Sequence, residues 1–207
     1  MSLNANRPII LAMTGASGAI YGLRLLECLV KADRTVYFMA SKAAQLVLAT
    51  ETQLEIPSRP SDMADWFTAY YQAKPGQIQV FGREQWTAPV ASGSHRASHM
   101  IICPCTTGTL SAVAQGSSDN LIDRAADVMI KERRQLIMVV RETPLSTIHL
   151  ENMLKLSQVG VTIMPANPGF YYQPKTVNEL VDFIVARILD HLGIDNTLMP
   201  RWGQAQL

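Results

Sequence analysis

The chain alternates short apolar runs with stretches in which apolar residues recur every three or four positions. Five runs have the length and composition of buried strands of a parallel sheet: residues 9–13, 35–39, 100–103, 136–140 and 161–164. The helical patterns run from residue 20 onward and near residues 42–50, 107–114, 120–134, 146–159 and 177–192. This alternation predicts βαβ units, hence a three-layer α/β fold whose mostly parallel sheet carries helices on both faces.

Residues 55–97 depart from this regular alternation because they are rich in proline and glycine. The pattern there predicts one helix near residues 62–71, a short strand near 77–81, and then a loop. Long loops in compact domains are usually functional. The length of 207 residues suits a single domain, which we assign to residues 1–207.

The turn Thr14-Gly15-Ala16-Ser17-Gly18 joins the first strand to the first helix, whose apolar residues include Ile20 and Leu23. A small-residue turn at a helix N-terminus exposes backbone N–H groups, and the helix dipole favours negative charge there. The turn therefore suggests a phosphate-bearing cofactor. It matches neither the dinucleotide fingerprint nor the P-loop, so a tight connection that binds nothing remains the alternative.

Ligands of open parallel sheets bind outside the carboxyl ends of the strands. The residues expected at those ends are hydroxyl and backbone donors, followed by a cation beside a carboxylate: Ser41, residues 104–109, Arg141 with Glu142, and residues 165–172. This set suits a phosphorylated, planar, hydrogen-bonding cofactor such as flavin mononucleotide (FMN).

Charge and composition limit the kinds of partner that this protein is expected to bind. The formal net charge of +1 suggests neither nucleic acid nor an anionic membrane as a partner, and no apolar run approaches the ~20 residues that span a bilayer. Only 17% of residues are charged and 48% are hydrophobic, which indicates apolar surface covered by other subunits, with a large core as the alternative. Three cysteines and no export signal predict the reducing cytoplasm.

Two features of the sequence bear on metal binding. His95, His99, Cys103 and Cys105 resemble a ligand cluster, but a strand between His99 and Cys105 separates them by about 20 Å at ~3.3 Å per residue. We therefore expect no metal there. An adjacent Asp pair, which often holds magnesium on a diphosphate, is also absent from the sequence.

Beyond the first turn, ordered motifs run through the chain: Ala91-Ser92-Gly93-Ser94, Cys103-Pro104-Cys105, residues 120–128 with Lys131-Glu132, residues 141–145 and 149–153, Pro168-Gly169-Phe170-Tyr171, and Pro200-Arg201-Trp202. With these motifs the chain resembles the UbiX-type flavin prenyltransferases over nearly its whole length. The resemblance implies a Rossmann-like or flavodoxin-like flavoprotein fold.

The resemblance also implies an activity. Such enzymes transfer a dimethylallyl group from dimethylallyl monophosphate to reduced FMN, alkylating N5 and closing a ring at C6, without a metal. The prenylated FMN serves a UbiD-type decarboxylase. The assembly implied is a homo-oligomer, a dodecamer with flavin near subunit junctions, in which the C-terminal tail of about residues 194–207 packs on a neighbour.

Residue roles carry over from the same resemblance. FMN would be held by Gly15, Ala16, Ser17, Ser41, Thr106, Thr107, Gly108, Thr109 and Arg141. The prenyl phosphate would be bound by Trp86, Ser92, Arg124, Lys131, Glu142, Tyr171 and Arg187. The catalytic set would be Ser17, Glu51, Lys131, Glu142 and Trp202. The faces of Trp86 and Trp202 could stabilise an allyl cation.

Alternatives remain for both residues and function. Arg124, Asp127 and Lys131 lie near one helix face, where an ordinary ion-pair stripe would have the same spacing. A non-catalytic FMN-binding subunit would need the strand-end turns but not the phosphate ligands. A flavin-dependent cysteine decarboxylase would carry a Pro-x-Met-Asn-type segment, which residues 165–171 do not match.

Overall fold

A computed structural model describes residues 7–200 of the chain. Its centre is one six-stranded sheet with the order β3-β2-β1-β4-β5-β6, in which every neighbouring pair is parallel. The strands are β1 (Ile9–Met13), β2 (Val36–Ala40), β3 (Ile78–Val80), β4 (His99–Cys105), β5 (Gln135–Val140) and β6 (Thr162–Ile163). This is the Rossmann strand order, so the predicted fold class is confirmed.

The helices follow the strands in chain order. They are α1 (Ala19–Lys31), α2 (Lys42–Glu51), α3 (Pro60–Tyr70), α4 (Thr107–Gln115), α5 (Leu121–Lys131), α6 (Thr147–Gln158) and α7 (Val177–His191). A short 3₁₀ helix, Pro89–Ala91, lies in the segment predicted as loop. The pattern at residues 120–134 overestimated α5, because Asn120 caps its start and Arg133 has a φ of 53° just beyond its end.

Two cores lie on opposite faces of the sheet because successive strand residues point to opposite sides. Ile9, Leu11 and Met13 of β1 belong to the first core, which α1, α2, α3 and α7 cover. Ile10 and Ala12 belong to the second core, which α4, α5 and α6 cover. The central strands are therefore buried on both faces, which explains their continuous apolar runs.

Helix α1 packs directly on the sheet. A Cβ added at Gly22 would lie 2.5 Å from the Cys103 carbonyl oxygen, so this glycine allows the close approach. Of the apolar residues that the pattern places on this helix, Leu23 is buried, whereas Ile20, in the first turn, is 39% exposed.

The start of the tail packs on its own chain. Helix α7 ends at His191, and Gly193 has the left-handed φ of 64° typical of a helix stop. Beyond it, Ile194 and Leu198 pack against the first core. Ile194 and Leu198 thus cover this chain, and the prediction that the tail of about residues 194–207 packs on a neighbour also concerns residues 201–207, which lie outside the described residues.

Candidate active site

The predicted FMN residues surround the point where the strand order reverses. From β1 the chain proceeds outward through β2 and β3, then returns to place β4 on the other side of β1. Thr14 links the carboxyl ends of β1 and β4. Its hydroxyl donates to the Pro104 carbonyl oxygen at 3.0 Å and accepts from the Thr106 N–H at 2.8 Å. Ligands of doubly wound sheets bind in the crevice outside such a switch point.

Helix N-termini border this crevice. Ser41 caps α2 by accepting from the Ala44 N–H at 3.0 Å, and Thr106 caps α4 by accepting from the Thr109 N–H at 3.1 Å. The first N–H groups of a helix have no intrahelical partner, and the dipole makes that end attract anions. Apart from the adjoining residues and the backbone of α4 itself, the nearest atom of residues 7–200 to a Cβ built on Gly108 is the Thr106 hydroxyl oxygen, at 3.9 Å, so the backbone of α4 is open to a ligand there.

The N-terminus of α1 differs from the prediction of a phosphate site at the first turn. The Glu51 carboxylate, at the end of α2, accepts from the N–H groups of Gly18 and Ala19, each at 2.8 Å. A carboxylate already occupies those two donors, which leaves the N-termini of α2 and α4 as the helix ends at this edge that could hold an anion. Gly15 allows close packing of this turn on α2, because a Cβ there would overlap the Ala43 side chain.

Opposing effects act on the pKa of Glu51. Burial raises it, but hydrogen bonds from the Ser17 hydroxyl and from the Ala19 and Gly18 N–H groups, together with the charge of Arg141, outweigh burial. The pKa of Glu51 is therefore held below its ordinary value, and the carboxylate is ionised at neutral pH.

Arg141 and Glu142 follow β5 at the same edge of the sheet. The Arg141 Nε donates to the Ser17 carbonyl oxygen at 3.0 Å, and the Arg141 N–H donates to the Cys105 carbonyl oxygen at 3.2 Å. The Glu142 carboxylate accepts from the Thr143 N–H at 3.1 Å. Arg141 thus ties the first turn to the end of β5 and places a cation beside Glu51.

The residues at this edge fit FMN. The open N-terminus of α4, with the hydroxyls of Thr106, Thr107 and Thr109, offers donors to a phosphate. Gly15, Ala16, Ser17, Ser41 and Arg141, which the resemblance assigns to FMN, lie around the same switch point.

Ser92, Arg124 and Lys131 form a second group, away from the crevice. The Arg124 Nε donates to the Ala91 carbonyl oxygen at 3.0 Å, next to Ser92, and its Nη1 pairs with Asp127 at 2.9 Å. Lys131, at the end of α5, shares a groove with Gln135 at the start of β5. It therefore lies near the amino edge of the sheet, opposite to the edge that carries Glu51.

Tyr171 and Arg187 form a third group, on the other face of the sheet. The Tyr171 ring lies 6.0 Å from that of Phe183, and Arg187 follows Phe183 by one turn of α7. The Arg187 Nη1 pairs with Asp190 at 2.9 Å. Helices α5 and α7 cover opposite faces, so with layers about 10 Å apart Lys131 and Arg187 are separated by on the order of 20 Å. One chain does not bring them together.

The structure describes only one of the two candidate tryptophan residues. Trp86 is 48% exposed in the loop after β3. Trp202 lies outside the described residues. Neither is placed beside the crevice by a contact of the described residues.

Two structural roles were missed by sequence reasoning. Thr14 was part of a motif, but its bond across to β4 depends on a strand order that periodicity does not reveal. Arg134, three residues after the predicted ligand Lys131, donates to two loop carbonyls. A cation immediately before a buried strand was the available signal for it.

Among residues 7–200 no group of three or more His, Cys, Asp or Glu side chains could hold a metal ion. His99 and Cys105 are the first and last residues of β4. No helix in the same range is long and apolar enough to cross a membrane.

The fold and the crevice define a flavoprotein-like α/β domain, and the sequence matches the family described as Flavoprotein over residues 2–189. The flavin prenyltransferase UbiX of Pseudomonas aeruginosa is 61% identical over 199 residues, which are 96% of this chain and 95% of that protein. The chain therefore belongs to the UbiX flavin prenyltransferase family.

Solved structures agree with this assignment. One is AnUbiX (PadA1) in complex with FMN and dimethylallyl pyrophosphate: the TM-score is 0.86 at 39% identity, over 97% of this chain and all of that one. A second is a dodecameric, FMN-dependent UbiX-like decarboxylase from Escherichia coli O157:H7, with a TM-score of 0.82 at 39% identity, over 94% of this chain and 98% of that one.

Proposed function

We propose that this protein transfers a dimethylallyl group from dimethylallyl monophosphate to reduced FMN. The observation that carries the proposal is the ionised Glu51 carboxylate, fixed by Ser17 and the start of α1 beside a crevice that fits FMN. A non-catalytic FMN carrier would need the strand-end turns but not Lys131, Glu142, Tyr171 and Arg187 together. The family membership and the UbiX neighbour with FMN and dimethylallyl pyrophosphate support the same activity.

Each group at the crevice has a task. Reduced FMN, when bound, supplies the nucleophilic atoms that form the new carbon bonds. Glu51 is ionised at neutral pH, so its carboxylate can accept a proton released as a bond forms. Ser17 and the Gly18 and Ala19 N–H groups hold that carboxylate in one position.

The departing phosphate needs fixed donors that meet its developing charge. We assign this task to Lys131 and Arg187, with Ser92, Arg124, Glu142 and Tyr171 around them. The absence of an adjacent Asp pair from the sequence favours a monophosphate leaving group that requires no magnesium.

The phosphate ligands on opposite faces imply a shared site. A phosphate that contacts both Lys131 and Arg187 must lie between two chains. Exposed apolar side chains favour such assembly, since Ile148, Phe170 and Val177 are each at least 66% exposed. The dodecameric UbiX-like neighbour supports a homo-oligomer, and we propose a dodecamer with the site at a subunit junction. Trp202 would approach the prenyl group from an adjacent chain.

The product and the compartment complete the proposal. The prenylated FMN would pass to a UbiD-type decarboxylase. All three cysteines are free, which supports a reducing cytoplasm.

The test is a mass spectrum of flavin recovered after anaerobic incubation of the protein with reduced FMN and dimethylallyl monophosphate. We expect flavin heavier by one dimethylallyl unit, with or without a chelator. The diphosphate in a parallel reaction identifies the preferred donor. If the flavin were unmodified with both donors, the protein would bind FMN but lack the proposed activity.

A further inference from the structure

Arg134 holds a loop by two carbonyl groups. Its Nη1 donates to the His95 carbonyl oxygen at 2.5 Å and its Nη2 to the Gly93 carbonyl oxygen at 2.7 Å. The side chain is only 19% exposed. The planar guanidinium can reach two acceptors at once, which a lysine ammonium on a flexible stem does not reproduce.

Glu132 connects Arg134 to the predicted phosphate ligand Lys131. One Glu132 carboxylate oxygen pairs with the Lys131 Nζ at 3.1 Å, and the other lies 3.7 Å from the Arg134 Nη2. A Cβ built on Gly93 would overlap this carboxylate, so Glu132 lies directly against the loop. We call the loop residues 91–95 together with Glu132 and Arg134 the Arg134 clamp.

The same loop carries the other predicted ligands of this surface. Arg124 donates to the Ala91 carbonyl oxygen at 3.0 Å, and the Ser92 hydroxyl lies 2.9 Å from that of Ser94. On its far side, the His95 Nε2 is 3.3 Å from the Tyr37 hydroxyl. Arg124, Ser92 and Lys131 are therefore attached to one loop, and Arg134 fixes that loop to the end of α5.

We propose that Arg134 is a positioning residue for the prenyl phosphate: through the clamp it holds Ser92, Arg124 and Lys131 as one preformed anion-binding surface. The inference rests on the proposed function. Exposed ion pairs such as Lys131–Glu132, with side chains 47% and 35% exposed, stabilise a fold very little. Their value here is orientation, because a preformed surface lowers the entropy lost when the phosphate binds.

The experiment measures binding without turnover. Protein loaded with oxidised FMN is titrated calorimetrically with dimethylallyl monophosphate, in the wild type and in Arg134→Ala, Arg134→Lys and Arg133→Ala. Arg133 is the matched control, since it removes the same charge from the neighbouring exposed position. FMN content and assembly size by sedimentation are measured on every variant.

We expect Arg134→Ala to weaken phosphate binding by about tenfold or more, because two hydrogen bonds to a charged group are lost. Arg134→Lys should recover part of the loss, while Arg133→Ala stays within about twofold of the wild type. FMN content should be unchanged in all three. An Arg134→Ala protein that binds the phosphate like the wild type overturns the inference, whereas a wild type that binds none contradicts the proposed function instead.

A second pair of variants tests the clamp without removing Arg134. Gly93→Ala forces the Glu132 carboxylate aside and should weaken phosphate binding, but it should have little effect once Glu132→Ala has removed the overlapping atoms. Such coupling is expected only of residues that act through each other. An equal effect of Gly93→Ala in both backgrounds would show that the loop does not act through Glu132.

Discussion

Replacing Thr14 by valine tests whether the switch point is held by a single hydroxyl. Thr14 is 3% exposed, and its hydroxyl bridges the Pro104 carbonyl oxygen and the Thr106 N–H. Valine keeps the branched shape but leaves that N–H without its acceptor. A buried group that loses its partner costs roughly 1–3 kcal/mol. For a chain of this size each kcal/mol lowers Tm by about 2–4 °C, so the expected decrease is about 2–12 °C.

The informative readout is FMN affinity, because Thr106 begins the helix assigned to the phosphate. Thr14→Val should weaken FMN binding in a fluorescence titration, while Thr14→Ser, which keeps the hydroxyl, should bind FMN like the wild type. Serine loses one buried methyl group, about 0.8 kcal/mol, and so controls for packing. Both variants are compared without FMN at one protein concentration, since assembly affects Tm. If valine bound FMN normally and lowered Tm no more than serine, the hydroxyl bridge would have no role at this site.

Four further predictions concern the site. Glu51→Gln should keep FMN but slow prenyl transfer by about 10²–10⁴-fold in a stopped assay of prenylated flavin. Because folding lowers the pKa of Glu51, the ionised carboxylate stabilises the fold above its unfolded-state pKa, and this stabilisation is lost as the pH falls through the folded-state pKa. Denaturation curves should therefore show that acid destabilises the wild type more than Glu51→Gln. Lys131→Ala and Arg187→Ala should each lose about 10²–10³-fold in turnover with FMN retained, and near-normal rates would remove them from the phosphate site. FMN should bind more tightly than riboflavin by calorimetry, and equal affinities would contradict the phosphate position at α4. Trp202→Ala should lower transfer with sedimentation unchanged, whereas a fully active variant would exclude that ring from the site.

The sequence predicted the strands well because buried parallel strands are continuous apolar runs, as β1 and β5 show. The alternation of strands and helices also predicted the layers. The boundary errors arose where polar or constrained residues border an element, as at Asn120 and Arg133 around α5. Such local caps depend on backbone angles that periodicity does not encode.

The site was only partly predictable. The positions of Ser41, Thr106 and Arg141 at the carboxyl edge of the sheet could be predicted, because strand order does not change which residues follow a strand. The contact of Glu51 with Gly18 joins positions 33 residues apart, and no local pattern reveals it. The placement of Lys131 and Arg187 on opposite faces depends on which side each crossover helix takes, so the proposal that two chains share the site could be made only with the structure.

The central claim, that one phosphate site is built from opposite faces of different chains, can be tested by mixing two inactive variants. Lys131→Ala and Arg187→Ala chains are co-expressed with different tags, and assemblies that contain both are isolated by sequential purification. The mass of flavin is then measured after incubation with reduced FMN and dimethylallyl monophosphate. We predict prenylated flavin from mixed assemblies and almost none from either variant alone, because some junctions regain both residues. Mixed assemblies no more active than their parents would contradict a site shared between chains.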